Sequence, residues 1–122
     1  MKLSLEKSLK DKYPDLLEEI TEFSHEDGWY KILDDLLEKL QAYLTDYPDV
    51  EQLKFIQIKE KFGSLRAYTY GGDDSTYRMI RDTEEQSFTT CEVCGSTMAK
   101  IRKDKGIMMC RCDYCWNKLN KN

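Results

Sequence analysis

The chain has 122 residues, of which 40% are hydrophobic and 34% charged, with a net charge of −4. That length suits one compact domain or a domain with a small appended module, and eight tyrosines, four phenylalanines and two tryptophans argue against a disordered polymer. No apolar run approaches the roughly 20 residues that span a bilayer, and Met1–Lys7 lacks the apolar centre of a secretory signal, so the expected location is the cytoplasm, where thiols stay reduced.

In chain order, residues 4–20 read as helical through Leu5, Leu9, Leu16, Leu17 and Ile20, with Pro14 imposing two short helices or a kink near Tyr13. Residues 21–28 read as a polar connection. Trp29, Ile32, Leu33, Leu36, Leu37, Leu40 and Leu44 then recur at three- and four-residue steps, the stripe of an amphipathic helix that ends before Pro48. Trp29 reads as a core anchor. Ser24 and Asp27 have capping-box spacing, and Asp27 alone is an equal candidate for the cap. Residues 53–61 and 65–70 alternate and are rich in β-formers around Phe62-Gly63-Ser64, which predicts a β-hairpin over 53–70. Gly71-Gly72-Asp73-Asp74 breaks the second strand, and 75–88 reads as a third helix.

The strongest motif follows. Cys91-Glu-Val-Cys94-Gly95 and Cys112-Asp-Tyr-Cys115 are two CxxC pairs with seventeen residues between them, the spacing of a four-cysteine zinc site. A CxxC turn sets two sulfurs on one edge of a tetrahedron, and Gly95 supplies the positive φ such knuckles often need. Residues 99–110 read as a hairpin turning at Asp104-Lys105-Gly106, and Trp116 begins a helix after the second pair. Knuckle, hairpin and helix describe a zinc-ribbon or treble-clef module. Cys110 is a fifth thiol that could replace Cys112 as ligand, but Cys112 and Cys115 keep the compact turn, so Cys110 reads as a strand residue, either buried or behind the ligands. Four thiolates close the coordination sphere, so the expected Zn²⁺ is structural rather than catalytic.

Charge is distributed unevenly: −7 over residues 1–50, −1 over 51–90 and +4 over 91–122. Lys100, Arg102, Lys103, Lys105 and Arg111 make the tail mildly basic and are the residues a nucleic-acid-binding reading would use, although the acidic half would repel nucleic acid. Glu18, Glu19, Glu22, Asp34 and Asp35 make the helical half an acidic one. The only histidine, His25, reads as a surface residue. Catalytic motifs are sparse, and the chain is read as a non-enzyme. One weak pattern survives: Asp49 with Gln57 and Lys59 can be read as an Mg²⁺-dependent nuclease motif. Lys59, Lys61, Phe62, Arg66 and Tyr68 concentrate cations and aromatics at one hairpin. They read either as a solvated turn with Phe62 in the core or as a recognition surface for a nucleotide, a nucleic acid or an acidic protein.

Gly28-Trp29-Tyr30, the run Lys59-Glu60-Lys61-Phe62-Gly63-Ser64-Leu65-Arg66 followed by Tyr68, Ser87, Thr90 to Gly95 and the closing Cys112/Cys115 pair resemble a family of small phage and prophage proteins. The likeness runs from Gly28 to Cys115. It departs where family members carry a tryptophan between the cysteine pairs and this chain has Met108 and Met109. The resemblance implies a phage origin and, with it, a binding protein that inhibits or modulates a host bacterial protein, plausibly in anti-defence. A nucleic-acid-binding or transcription-linked zinc protein is the alternative, with a nuclease or a nucleotide sponge behind it. The fold expected is α+β, with helices on a small antiparallel sheet over 1–89 and a four-cysteine module over 90–122.

Overall fold

The computed structural model describes residues 1–120. Helix α1 spans Leu3–Lys12 and ends where Pro14 forbids another turn, with Tyr13 as its C-cap. Residues 14–19 form turns rather than a second helix. Leu16 and Leu17 are still buried, so the apolar pattern there records packing without helical geometry.

The segment read as a polar connection contains a short strand, β1 (Glu22–Ser24), and a single 3-10 turn, Asp27–Trp29, leading into α2 (Tyr30–Asp46). No side chain caps α2, so neither Ser24 nor Asp27 does so: Ser24 is drawn into strand pairing. The hydrophobic stripe of α2 is real, with Ile32, Leu33, Leu36, Leu37 and Leu40 all buried. Strands β2 (Lys54–Lys61) and β3 (Ser64–Tyr70) form the expected antiparallel hairpin, with a bulge between Phe55 and Gln57. Because β1 adds to β2 in parallel, the sheet order is β1-β2-β3 and the sheet is mixed rather than purely antiparallel. Alternation along the strands sends Phe23, Phe55, Ile58 and Leu65 inward beneath the helices.

Helix α3 (Asp74–Gln86) starts with a formed capping box: Asp73 accepts from the Thr76 amide at 3.0 Å, and Thr76 Oγ1 accepts from the Asp73 amide at 2.9 Å. A 3-10 turn, Ser87–Thr89, leads to the first CxxC pair. Strands β4 (Lys100–Asp104) and β5 (Ile107–Arg111) make a second hairpin, and α4 (Asp113–Asn120) begins inside the second CxxC pair rather than after it. Helices and small sheets together make an α+β fold.

One buried cluster runs from Leu9 and Leu16 through Trp29 and Leu65 to Ala99, Cys110 and Cys115. The C-terminal segment thus packs into the same core as the helices. Gly28 shows why: its amide donates to the Glu92 carbonyl at 2.6 Å, and a Cβ there would lie 2.1 Å from the Cys91 carbonyl oxygen. The Trp29 indole donates to the Thr90 carbonyl at 2.9 Å.

Candidate metal centre and recognition face

Cys91 and Cys94 sit on the turn after the 3-10 segment, Cys112 precedes α4 and Cys115 lies in its first turn. Their sulfurs all lie within 4.8 Å of one another, and the Cys94 and Cys112 sulfurs are 3.6 Å apart. A tetrahedral ion with metal–sulfur bonds of about 2.3 Å sets its sulfurs about 3.8 Å apart. The quartet therefore has the dimensions of a metal site, and its all-sulfur donor set is consistent with zinc.

The backbone prepares the quartet for charge. Gly95, at φ +84, lets its amide reach the Cys91 carbonyl at 2.9 Å, and its α-carbon lies so close to Gly28 that a Cβ would sit 3.1 Å from the Gly28 oxygen. The Cys115 amide points at the Cys112 sulfur at 3.5 Å. Burial pushes the Cys91 thiol up, but hydrogen bonds from the backbone of Cys94, Cys112 and Val93 outweigh it and bring the group down to about 7. Cys115 goes the other way, raised by burial and by sharing its hydrogen with Cys112 and Cys94. Four crowded sulfurs cannot all ionise on their own; a dication in their midst is what lets them.

Cys110 is not part of this quartet. It is fully buried on β5, and its thiol faces the carbonyls of Ser87, Phe88 and Thr90 at 3.2, 3.4 and 3.2 Å. Burial pushes it up to about 11, so it stays a thiol. Cys110 is thus the buried strand residue that the sequence suggests, whereas His25 is misread from sequence. It is only 6% exposed, lies against Phe23 and Trp29, and donates from Nδ1 to the Glu26 carbonyl at 2.8 Å. Its Nε2 is buried without a hydrogen-bond partner. A polar-looking neighbourhood in sequence hid an aromatic pocket made by β1 and the start of α2.

The two charged surfaces are partly engaged within the protein. Arg111 joins Glu26 at 2.9 Å and Glu92 at 3.4 Å, while Arg102 joins Asp113 at 2.5 Å and lies over the Trp116 ring. Lys100, Lys103 and Lys105 have no ion pair among the described residues. On the acidic side, Asp34 holds Lys12 and the Tyr13 hydroxyl, Asp35 pairs with Lys31, and Glu18 pairs with Lys54. Glu19 accepts from the Tyr70 hydroxyl, and Glu22 from Gln57.

The hairpin residues are brought together. Cross-strand register puts Lys59 directly opposite Arg66 and Gln57 opposite Tyr68, with Ser24 and Glu22 completing the two rows on β1. All lie on the sheet face away from the core. Lys61 and Phe62 are exposed at the end of that face, so Phe62 is not tucked into the core. Asp49 lies in the turn after α2, before β2 begins, whereas Lys59 is near the far end of that strand. Among the described residues, the cysteine quartet is the one group of three or more His, Cys, Asp or Glu side chains placed to share an ion.

What the sequence did not signal is Gly28, Ser87 and Glu92 as contacts that seat the cysteine segment. No helix of the described residues is long and apolar enough to cross a membrane. Compared with protein-family models, curated proteins and solved structures, the chain matches none of them.

Proposed function

We propose that the chain is a non-enzymatic binding protein of phage or prophage origin that inhibits or modulates a bacterial host protein, as an anti-defence factor does. Cys91, Cys94, Cys112 and Cys115 hold one zinc ion, which ties the C-terminal segment to the core. Four thiolates fill a tetrahedral ion's coordination sphere and leave no position for water or substrate, so the metal contributes folding energy rather than chemistry.

The observation that carries this reading is the uncovered face of the three-stranded sheet. Lys59 and Arg66 stand opposite each other there, and neither pairs with a carboxylate among the described residues. Like charges placed directly across a strand pair destabilise the sheet. Two cations without carboxylate partners on an exposed face, beside Tyr68, suit a binding surface better than a solvated hairpin. The motif resemblance supports the origin. Single-stranded nucleic acid is a second reading of the same basic-aromatic face; Glu22 on that face and the −7 balance of the first fifty residues weigh against it.

The test uses the full zinc-loaded chain as bait in a bacterial lysate. One host protein should be retained in near-equal amount and lose activity on addition of the chain. The Lys59→Glu/Arg66→Glu double variant should release it. Retention unaffected by that variant, no stoichiometric protein, or Mg²⁺-dependent cleavage of DNA that Lys59→Ala abolishes would sink the reading.

A further inference from the structure

The tip of the β2–β3 hairpin is built at a conformational cost that packing does not return. Phe62 and Gly63 form a two-residue turn with φ +55 and +86, both in the left-handed region. Such turns favour asparagine or aspartate before the glycine, because a bulky side chain at positive φ crowds its own backbone. Gly63 is required: a Cβ there would meet Ile101 Cγ2 at 3.2 Å and the Met109 amide nitrogen at 3.3 Å. Phe62 has no such reason. Its ring is 66% exposed, so burial does not offset the strain. The corresponding position of the second hairpin holds Lys105 at φ +51, a side chain that water solvates well.

The turn is also held fixed. Glu60 accepts from the Gly63 amide at 2.7 Å, and the Ser64 hydroxyl donates to the Lys61 carbonyl at 3.1 Å. Gly63 leans on β5 between Met108 and Met109, which anchors the tip on the cysteine module. The turn backbone that presents Phe62 is therefore held in place, and the Lys61 ammonium lies 5.8 Å from the Phe62 ring. Lys59 and Arg66 follow along the same hairpin, and none of the three cations has a carboxylate partner among the described residues.

An exposed aromatic at a strained position, with one cation near its ring and two more along the same hairpin, is the arrangement of an interface anchor with its polar rim. We infer that Phe62 is the anchor by which this protein engages its partner, and that the partner offers an acidic segment carrying an apolar side chain. This rests on the reading of the chain as a protein-binding factor. Charge complementarity selects the occupant: Lys59, Lys61 and Arg66 require carboxylates opposite them, and Phe62 with half-exposed Met108 beside the turn requires an apolar contact.

The variant that tests this is Phe62→Asn, because Asn-Gly suits the turn better than Phe-Gly. It should melt at the same temperature as the wild type or higher, so a loss of binding cannot be ascribed to misfolding. The probe is a displayed library of random linear peptides, selected on the immobilised full zinc-loaded chain. Enriched clones should carry an aromatic or aliphatic residue among Asp and Glu. Their synthetic peptides should bind Phe62→Asn and Lys59→Glu/Arg66→Glu roughly tenfold or more weakly, and bind the wild type less tightly as salt rises. Basic consensus sequences, failure to enrich any clone, or peptides that bind Phe62→Asn as well as wild type would overturn the inference. In the last case the protein-binding function stands and only the role of Phe62 as its anchor falls. Oligothymidylate that binds where no peptide does, and is lost in Arg66→Glu, fells both.

Discussion

At the scale of single residues, the junction between helices and cysteine module depends on Gly28. Its α-carbon lies against the Cys91 and Glu92 carbonyls, where a methyl group has no space and the atoms in the way are backbone. Gly28→Ala should cost about 3 kcal/mol or more by forcing that backbone apart, read as a lower urea midpoint with an unchanged slope. His25 makes a different prediction. Burial holds its pKa down at about 4, against 6.5 for the ordinary side chain. The unfolded chain therefore binds a proton that the folded one refuses, and stability falls as pH drops from 6.5 towards 4. Between pH 7 and 5.5 the loss from this residue alone is about 1 kcal/mol. His25→Phe removes both the titration and the unpartnered Nε2, and should flatten the pH dependence of the urea midpoint in that range. An unchanged slope would mean that the ring takes up its proton in the folded state.

At the scale of elements, β3 is an edge strand, and edge amides are open to pairing with other chains. Here two of them are closed from α3 and the turn after it: Leu65 donates to the Ser87 hydroxyl at 2.9 Å and Ala67 to the Glu84 carboxylate at 3.0 Å. Ser87 is fully buried, donates its own hydrogen to the Glu84 carbonyl at 2.5 Å, and offers its carbonyl to Cys110. Ser87→Ala leaves the buried Leu65 amide unsatisfied and should destabilise by about 2 kcal/mol. Glu84→Ala should cost less, because its side chain is only half-buried, but should expose the edge. The check is sedimentation at rising concentration, where Glu84→Ala should self-associate before Ser87→Ala does.

Across the whole molecule, the main elements could be read directly because their signals are periodic and local. The α2 stripe, the alternation of β2 and β3, and the paired CxxC turns each declare themselves within a short window. The parts that could not be read depend on distant partners. Glu22–Ser24 is too short to alternate and becomes a strand only because β2 lies beside it. The environment of His25 is set by Phe23 and Trp29, and Gly28 has its role because Cys91 returns to it from far along the chain. The clustering of the four cysteines was legible, whereas the two arginines of the tail read as free surface and are in fact engaged with Glu26, Glu92 and Asp113. Metal removal is the test at this scale. Structural zinc sites contribute on the order of 10 kcal/mol, and here Cys91, Cys112 and Cys115 share one core with Trp29. In a Trp116→Phe background, chelation should shift Trp29 emission to the red and abolish a single cooperative melt. Elemental analysis should return one zinc per chain.

The pairing of Trp29 with Thr90 spans 61 positions, and it bears on how the protein is made. A ribosome that has finished the amphipathic helix has nothing yet to lay across its first turn. The nascent chain must wait, with the indole wet, until the cysteine loops have emerged. If the quartet takes zinc as proposed, translation in a zinc-starved cell would leave the early part of the chain exposed to proteases and chaperones, and the supply of the metal would set how much of the protein reaches its finished form.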